Sequence, residues 1–212
     1  MKKILLLGAN GKIGQLLTRL LVKEDLPFRV MVRTPEQIRA FNELGVEAVL
    51  GDLESDFSTA FEDCDKVVFS AGSGGATGAD KTLLVDLWGA IKTVNYAKEK
   101  GLDHVVMISS MNAADPDKGP AAIKHYLVAK FAADEYLKNS ALPYSILRPA
   151  RLTDEPGTGK VSINLPATPD ERIIPRADVA AAALYCLANN STKGLIVNLR
   201  QGNMNIEEAL ER

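Results

Sequence analysis

The chain has 212 residues, enough for one domain with a full hydrophobic core. Apolar residues make up 46% and charged residues 25%, and the formal net charge of −2 provides no basic field to attract nucleic acid or an anionic membrane. The two cysteines, Cys64 and Cys186, stand apart with no C-x-x-C pair, so no metal site or disulfide framework is implied and a cytoplasmic setting is expected.

No apolar run approaches the roughly 18 residues of a membrane span. The opening Met1-Lys2-Lys3 and the apolar residues 4–7 stop at Gly8, too soon for a signal-peptide core, and read as a buried strand. Further short apolar runs follow at 28–32, 48–50, 67–69, 105–108, 144–147 and 195–199. Most are unbroken rather than alternating, as in strands covered on both faces. Helical patterns lie between them at 12–23, 35–44, 80–100, 121–139 and 178–189. Gly45 and Gly101 stop two of these helices just before a strand, and Asp178 is read as the N-cap of another. Such alternation predicts an α/β fold: a Rossmann-type, doubly wound parallel sheet with helices on both faces and a small C-terminal substrate region. Residues 1–212 read as one domain. Residues 151–175, which hold Pro156, Gly157, Gly159, Pro166 and Pro169, read as a loop covering the substrate.

Gly8-Ala9-Asn10-Gly11-Lys12-Ile13-Gly14 leaves the first strand and opens the first helix. The spacing is G-x-x-G-x-x-G. One glycine permits the tight turn, one lets backbone approach a pyrophosphate and one lets helix and strand pack closely. The helix N-terminus adds free N–H groups and positive dipole charge. A glycine-rich turn without ligand is the bland alternative, weakened by the strand–turn–helix context. The second strand runs into Arg33, which suits the extra phosphate of NADP rather than the free ribose of NAD. Lys12 can add charge. Asp52, next to Leu53 at the end of the third strand, can accept a bond from adenine or cap the short helix that follows. The glycine-rich segment from Ala71 and Gly72 suits close approach to a ribose.

The fifth strand ends in Ser109-Ser110, and a later helix carries Tyr126-Leu127-Val128-Ala129-Lys130. Tyr and Lys at i and i+4 share one helix face. An ammonium beside a phenol favours phenolate and lowers its pKa, and the same ammonium can hold ribose hydroxyls. A serine hydroxyl at the adjacent strand end can polarise a carbonyl while the phenol transfers a proton. Alone, Y-x-x-x-K is weak and could be a surface pair; after the double serine and the glycine turn it is more specific. His104 and His125 have no metal-ligand partners at useful spacing and read as structural or solvated.

On these residues the chain resembles the short-chain dehydrogenase/reductase superfamily, in particular its atypical, single-domain, epimerase/dehydratase-like members. The resemblance spans nearly the whole chain and includes Val85-Asp86-Leu87-Trp88-Gly89-Ala90, Leu147-Arg148-Pro149 and Arg176-Ala177-Asp178-Val179-Ala180. It implies Ser110, Tyr126 and Lys130 as the catalytic set, with Ser109 as the fallback serine. Gly8, Asn10, Gly11, Lys12, Ile13, Gly14, Arg33, Asp52, Leu53, Ala71, Gly72, Ser109 and Lys130 would hold the cofactor. For the helical asparagine of typical members, Asn95 is only a loose match, and Ala150 stands where a glycine usually follows Arg-Pro. The expected function is NADP(H)-dependent hydride transfer with a small carbonyl, quinone or flavin-like substrate. The partner is then a small molecule rather than nucleic acid or membrane, and the protein a monomer or homodimer. A non-catalytic redox sensor and a compact sugar epimerase or dehydratase are the alternatives.

Overall fold

The computed structural model describes residues 2–75, 77–164 and 172–211. Five strands with short apolar sequences come first: β1 (Lys3–Leu7), β2 (Phe28–Val32), β3 (Glu47–Leu50), β4 (Cys64–Phe69) and β5 (His104–Ile108). Later come β6 (Tyr144–Pro149), β7 (Arg151–Thr153), β8 (Lys160–Ser162), β9 (Ile173–Pro175), β10 (Leu195–Gln201) and β11 (Met204–Asn205). The main sheet has the order β11-β8-β10-β6-β5-β4-β1-β2-β3. Pairing is parallel from β3 through to β10, and β8 joins antiparallel to β10 and β11. β7 and β9 pair separately. Strand order therefore reverses between β1 and β4, the switch point where doubly wound sheets open a ligand crevice.

Helices α1 (Lys12–Lys23), α2 (Pro35–Glu43), α3 (Ala79–Lys81), α4 (Ala90–Lys100), α5 (Lys124–Lys138), α6 (Arg176–Ala188) and α7 (Ile206–Leu210) surround the sheet. On α1, Ile13, Leu17 and Leu21 recur every four residues, with Gly14 and Thr18 beside them, and all five are buried. That stripe packs with α6 over one face of the sheet, and α4 and α5 cover the other with a second apolar cluster. Leu5, Leu6 and Leu7 of β1 are fully buried because both faces are roofed.

Four sequence expectations change. The helix read over 80–100 is interrupted by a π-helical stretch, Thr82–Gly89, between α3 and α4. Asp178 is not the cap of α6, since the helix begins at Arg176; its carboxylate folds back to accept the Thr158 and Gly159 N–H groups at 3.1 and 2.8 Å. Asp52 caps a tight turn through the Glu54 N–H at 2.9 Å, while Asp56 serves the helical turn at Ser58–Phe61. The stretch read as irregular over 151–175 contains β7, β8 and β9, and its residues 165–171 lie outside the described residues.

His104 is 1% exposed and shares a 2.9 Å hydrogen bond with Ser145 Oγ. Burial, with Lys193 and Lys66 nearby, holds its pKa down to about 4 from 6.5. The unfolded chain takes up this proton near pH 6.5 and the folded chain only near 4. The stabilisation is therefore complete above the first value and is lost as pH falls toward the second, by about 3 kcal/mol. Urea midpoints between pH 7 and 4 should show that slope in the wild type and a shallower one in H104Q; equal slopes would reject the assignment.

Candidate active site

A cleft of about 450 Å³ opens at the carboxyl ends of β1, β2 and β4. Its floor is the first glycine turn, which is built for close approach. Gly8 has φ +86°, and a Cβ there would sit 2.6 Å from Ala71 N. A Cβ on Gly14 would collide with the Gly8 carbonyl and lie 2.7 Å from Ala9 Cα. Gly11 is different: a Cβ would meet only the Gly8 carbonyl, at 3.2 Å, so its outer side is open. Gly11 is also the N-cap of α1 and carries no side-chain cap. The first-turn N–H groups of α1 thus have neither an intrahelical acceptor nor a capping side chain, which is the arrangement an anionic pyrophosphate takes up.

At one end of the cleft Arg33, Gln37, Asp52, Leu53 and Glu54 form the wall. Arg33 is exposed, and among the described residues its guanidinium has no ion-pair partner. Lys81 pairs with Glu54 at 2.7 Å across the rim. Asn10 lines the cleft beside Gly11. Lys12 turns to a neighbouring groove, where it pairs with Asp154, a carboxylate that Arg176 also engages at 2.6 Å. Ile13 is core, and only its backbone belongs to the turn.

At the other end, Ser70, Ala71, Gly72 and Ser73 carry the cleft onward from Phe69. Lys130 is 2% exposed, and its Nζ lies 5.6 Å from the centroid of Phe69 and 5.9 Å from that of the half-buried Tyr126. Tyr126, Lys130 and Ser110 do not line the cleft; Lys130 approaches it at the ring of Phe69, the residue before Ser70. Ser109 is committed elsewhere: its hydroxyl donates to Asp134 Oδ2 at 2.9 Å, where Arg148 Nε also donates at 2.9 Å. Ser110 is half-buried, and among the described residues its hydroxyl has no partner.

Two buried carboxylates escaped the sequence reading. Asp86 is 1% exposed on the π-helical stretch, and Asp134 is fully buried on α5. Their signals were present: Asp134 continues the i, i+4 row of Tyr126 and Lys130, and Asp86 is a lone acid in an apolar run. Their effect overturns one expectation. Burial pushes the Tyr126 phenol upward in pKa, and Asp86 and Asp134 push it further in the same direction. Burial lowers the Lys130 ammonium, against a partial upward pull from the same acids. Burial also raises Asp134, opposed by Ser109 and Arg148. The phenol is therefore held protonated. Asn95 does not join the site: it accepts a hydrogen bond from Tyr136 at 2.7 Å on the outer side of α4 and α5. His125 is exposed.

Among the described residues no helix is long and apolar enough to cross a membrane, and no group of three or more His, Cys, Asp or Glu side chains could hold a metal ion.

A parallel sheet with a switch-point cleft over a glycine turn and an uncapped helix N-terminus defines a Rossmann-type dinucleotide-binding protein. Comparison with known proteins agrees. Residues 8–190 match the family described as NAD(P)H-binding. The uncharacterized sugar epimerase YhfK of Bacillus subtilis (strain 168) is 42% identical, over 99% of each chain. The solved structure of a Bacillus halodurans protein, named for the NAD-dependent epimerases/dehydratases, superposes with a TM-score of 0.93 at 42% identity, covering 100% of this chain and 99% of that one. The oxidoreductase ylbE from Lactococcus lactis superposes with a TM-score of 0.86 at 29% identity, covering 99% and 95%. Relatives named for reduction also match: sanguinarine reductase of Eschscholzia californica is 31% identical over 54% of this chain and 44% of its own. The chain belongs to the NAD(P)H-binding family of atypical short-chain dehydrogenases/reductases.

Proposed function

We propose that the protein is an NADP(H)-dependent oxidoreductase that reduces a small carbonyl, quinone or flavin-like acceptor. The observation that carries this reading is the Tyr126–Lys130 pair, with the buried Lys130 Nζ lying over the ring of Phe69, the last residue of the strand that leads into the cleft. When bound, the reduced dinucleotide supplies the hydride. The chain's own residues do the rest. Gly8, Gly11 and Gly14 admit the pyrophosphate, and the first turn of α1 stabilises its charge. Asp52 and Leu53 bound the adenine end. Lys130 holds ribose hydroxyls, and Ser110, whose hydroxyl has no partner among the described residues, orients the acceptor oxygen. Tyr126, with its proton held on by burial and the two acids, donates that proton to the reduced oxygen. A phenol held protonated favours reduction over oxidation, because oxidation needs the phenolate as base.

Arg33 supports NADP over NAD, since an unpaired guanidinium on the cleft wall is the partner a 2′-phosphate needs. R33A should weaken NADPH binding by about 10- to 100-fold and leave NADH binding nearly unchanged. Calorimetric titration with both dinucleotides reads this directly; parallel losses for the two would reject the assignment. The function itself is tested by NADPH oxidation against a panel of carbonyls, quinones and flavins. Turnover with none of them, together with partner binding that depends on the cofactor's redox form, would instead support a sensor.

A further inference from the structure

Two buried groups of opposite charge have no ion-pair partner within 4 Å among the described residues. Asp86 is 1% exposed, and its two oxygens have different surroundings. Oδ2 accepts the Ser73 N–H at 3.0 Å, which clips the carboxylate to the loop lining the cleft. Oδ1 is buried and has no hydrogen bond among the described residues. It faces the Gly72 backbone so closely that a Cβ there would be 3.1 Å away. Lys130 is 2% exposed; its Nζ lies over the rings of Phe69 and Tyr126, and among the described residues it has no hydrogen bond or ion pair. An unpaired carboxylate and an unpaired ammonium in one interior are each costly, and the cost falls when they serve each other.

Asp134 is the competing counter-ion, and the geometry separates the two acids. Asp134 Oδ1 is buried without a hydrogen bond as well, but Asp134 Oδ2 already receives the Arg148 guanidinium and the Ser109 hydroxyl, so its charge has a cation among the described residues. Among the described residues Asp86 has only a backbone N–H and no cation within ion-pair distance. Asp86 also sits on the π-helical stretch Thr82–Gly89, a distortion that recurs at functional sites because it re-aims side chains.

We infer that Asp86 is a positioning residue for Lys130: one carboxylate oxygen holds the cleft loop at Ser73, and the carboxylate's charge favours the lysine ammonium across the interior, so that the loop and the charge on the lysine are coupled. This rests on the reading of Lys130 as a cofactor-holding group. The charged and titratable groups that face Lys130 are Tyr126 and Asp134 on α5 and Asp86 on the π-helical stretch, with Arg148 of β6 reached through Asp134.

The test is the NADPH dissociation constant as a function of pH, which needs no turnover. Asp86→Asn keeps the shape and an acceptor for Ser73 but removes the charge. Loss of affinity at alkaline pH, where Lys130 deprotonates, should move at least one pH unit toward neutrality in D86N, a tenfold change in the lysine equilibrium. It should stay in place in D86E. K130Q should lose the alkaline transition altogether, and adding D86N to K130Q should cost little more. An unmoved transition in D86N overturns the inference. So does an equal penalty for D86N with and without Lys130, which would mark a role confined to the Ser73 loop. If K130Q binds as the wild type does, the Lys130 reading falls and takes this inference with it. Should D86N not fold, Asp86→Ser, which also removes the charge, carries the same expectation.

Discussion

Replacing Tyr126 with phenylalanine is expected to lower kcat for NADPH-dependent reduction by about 10²- to 10⁴-fold, the range for loss of a positioned general acid. The NADPH dissociation constant should change little. The ring stays in place in that variant, over which Lys130 Nζ lies at 5.9 Å, so only the hydroxyl is removed. The wild-type rate should also show no alkaline gain in the range where an ordinary phenol ionises, because burial and the two acids hold the proton on. Steady-state kinetics with any acceptor found in the panel, alongside fluorescence titration of NADPH, separates the two parameters. Equal turnover in Y126F would remove the phenol from the chemistry. That outcome would point to direct hydride delivery to an acceptor needing no protein proton, as a flavin or quinone can be.

The second large effect is expected from Gly14→Ala. Its Cβ would lie 2.7 Å from Ala9 Cα and 2.8 Å from the Ala9 carbonyl oxygen, besides striking the Gly8 carbonyl. These are backbone atoms, and no side-chain rotation relieves them. The first turn of α1 must lift from the end of β1, and its N–H groups then leave the pyrophosphate position. Such overpacking costs about 1–3 kcal/mol of stability. Dinucleotide affinity should fall by at least about tenfold, since the charge-assisted bonds to those N–H groups are lost. Thermal melting with and without NADPH measures both, and a cofactor-induced rise in Tm as large as in the wild type would contradict the reading. Gly11→Ala is the informative control. Its Cβ meets one protein atom, at 3.2 Å, so the fold should tolerate it while the ligand should not.

The strand–helix alternation and the glycine turn could be read along the chain because their causes are local. Unbroken apolar runs such as 4–7 and 105–108 suit strands roofed on both faces, and α1 shows its four-residue stripe directly. The glycines at 8, 11 and 14 answer backbone requirements that arise within a few residues of themselves. Tyr126 and Lys130 share a helix face by spacing alone. The three-residue strands β7, β8 and β9 were read as loop because strands that short gain their hydrogen bonds from distant partners rather than from their own pattern.

The electrostatics of the site is the part that only the assembled molecule decides. Sequence reasoning set an ammonium beside a phenol and expected a lowered pKa. It could not see that β4, α5 and the π-helical stretch bring Asp86 and Asp134 to the same interior, where burial and negative charge raise the phenol's pKa instead. It also could not separate Ser109 from Ser110, because adjacent strand-end residues point to opposite sides and only the packing of α5 assigns Asp134 to one of them. Asn95 is only a loose match to an asparagine that the family resemblance implies, and the burial of Asp86 follows from a π-helical stretch that the sequence pattern does not reveal. Backbone geometry is written in short stretches of chain. The protonation state of a buried group depends on what distant segments bring beside it, and that is settled by tertiary packing.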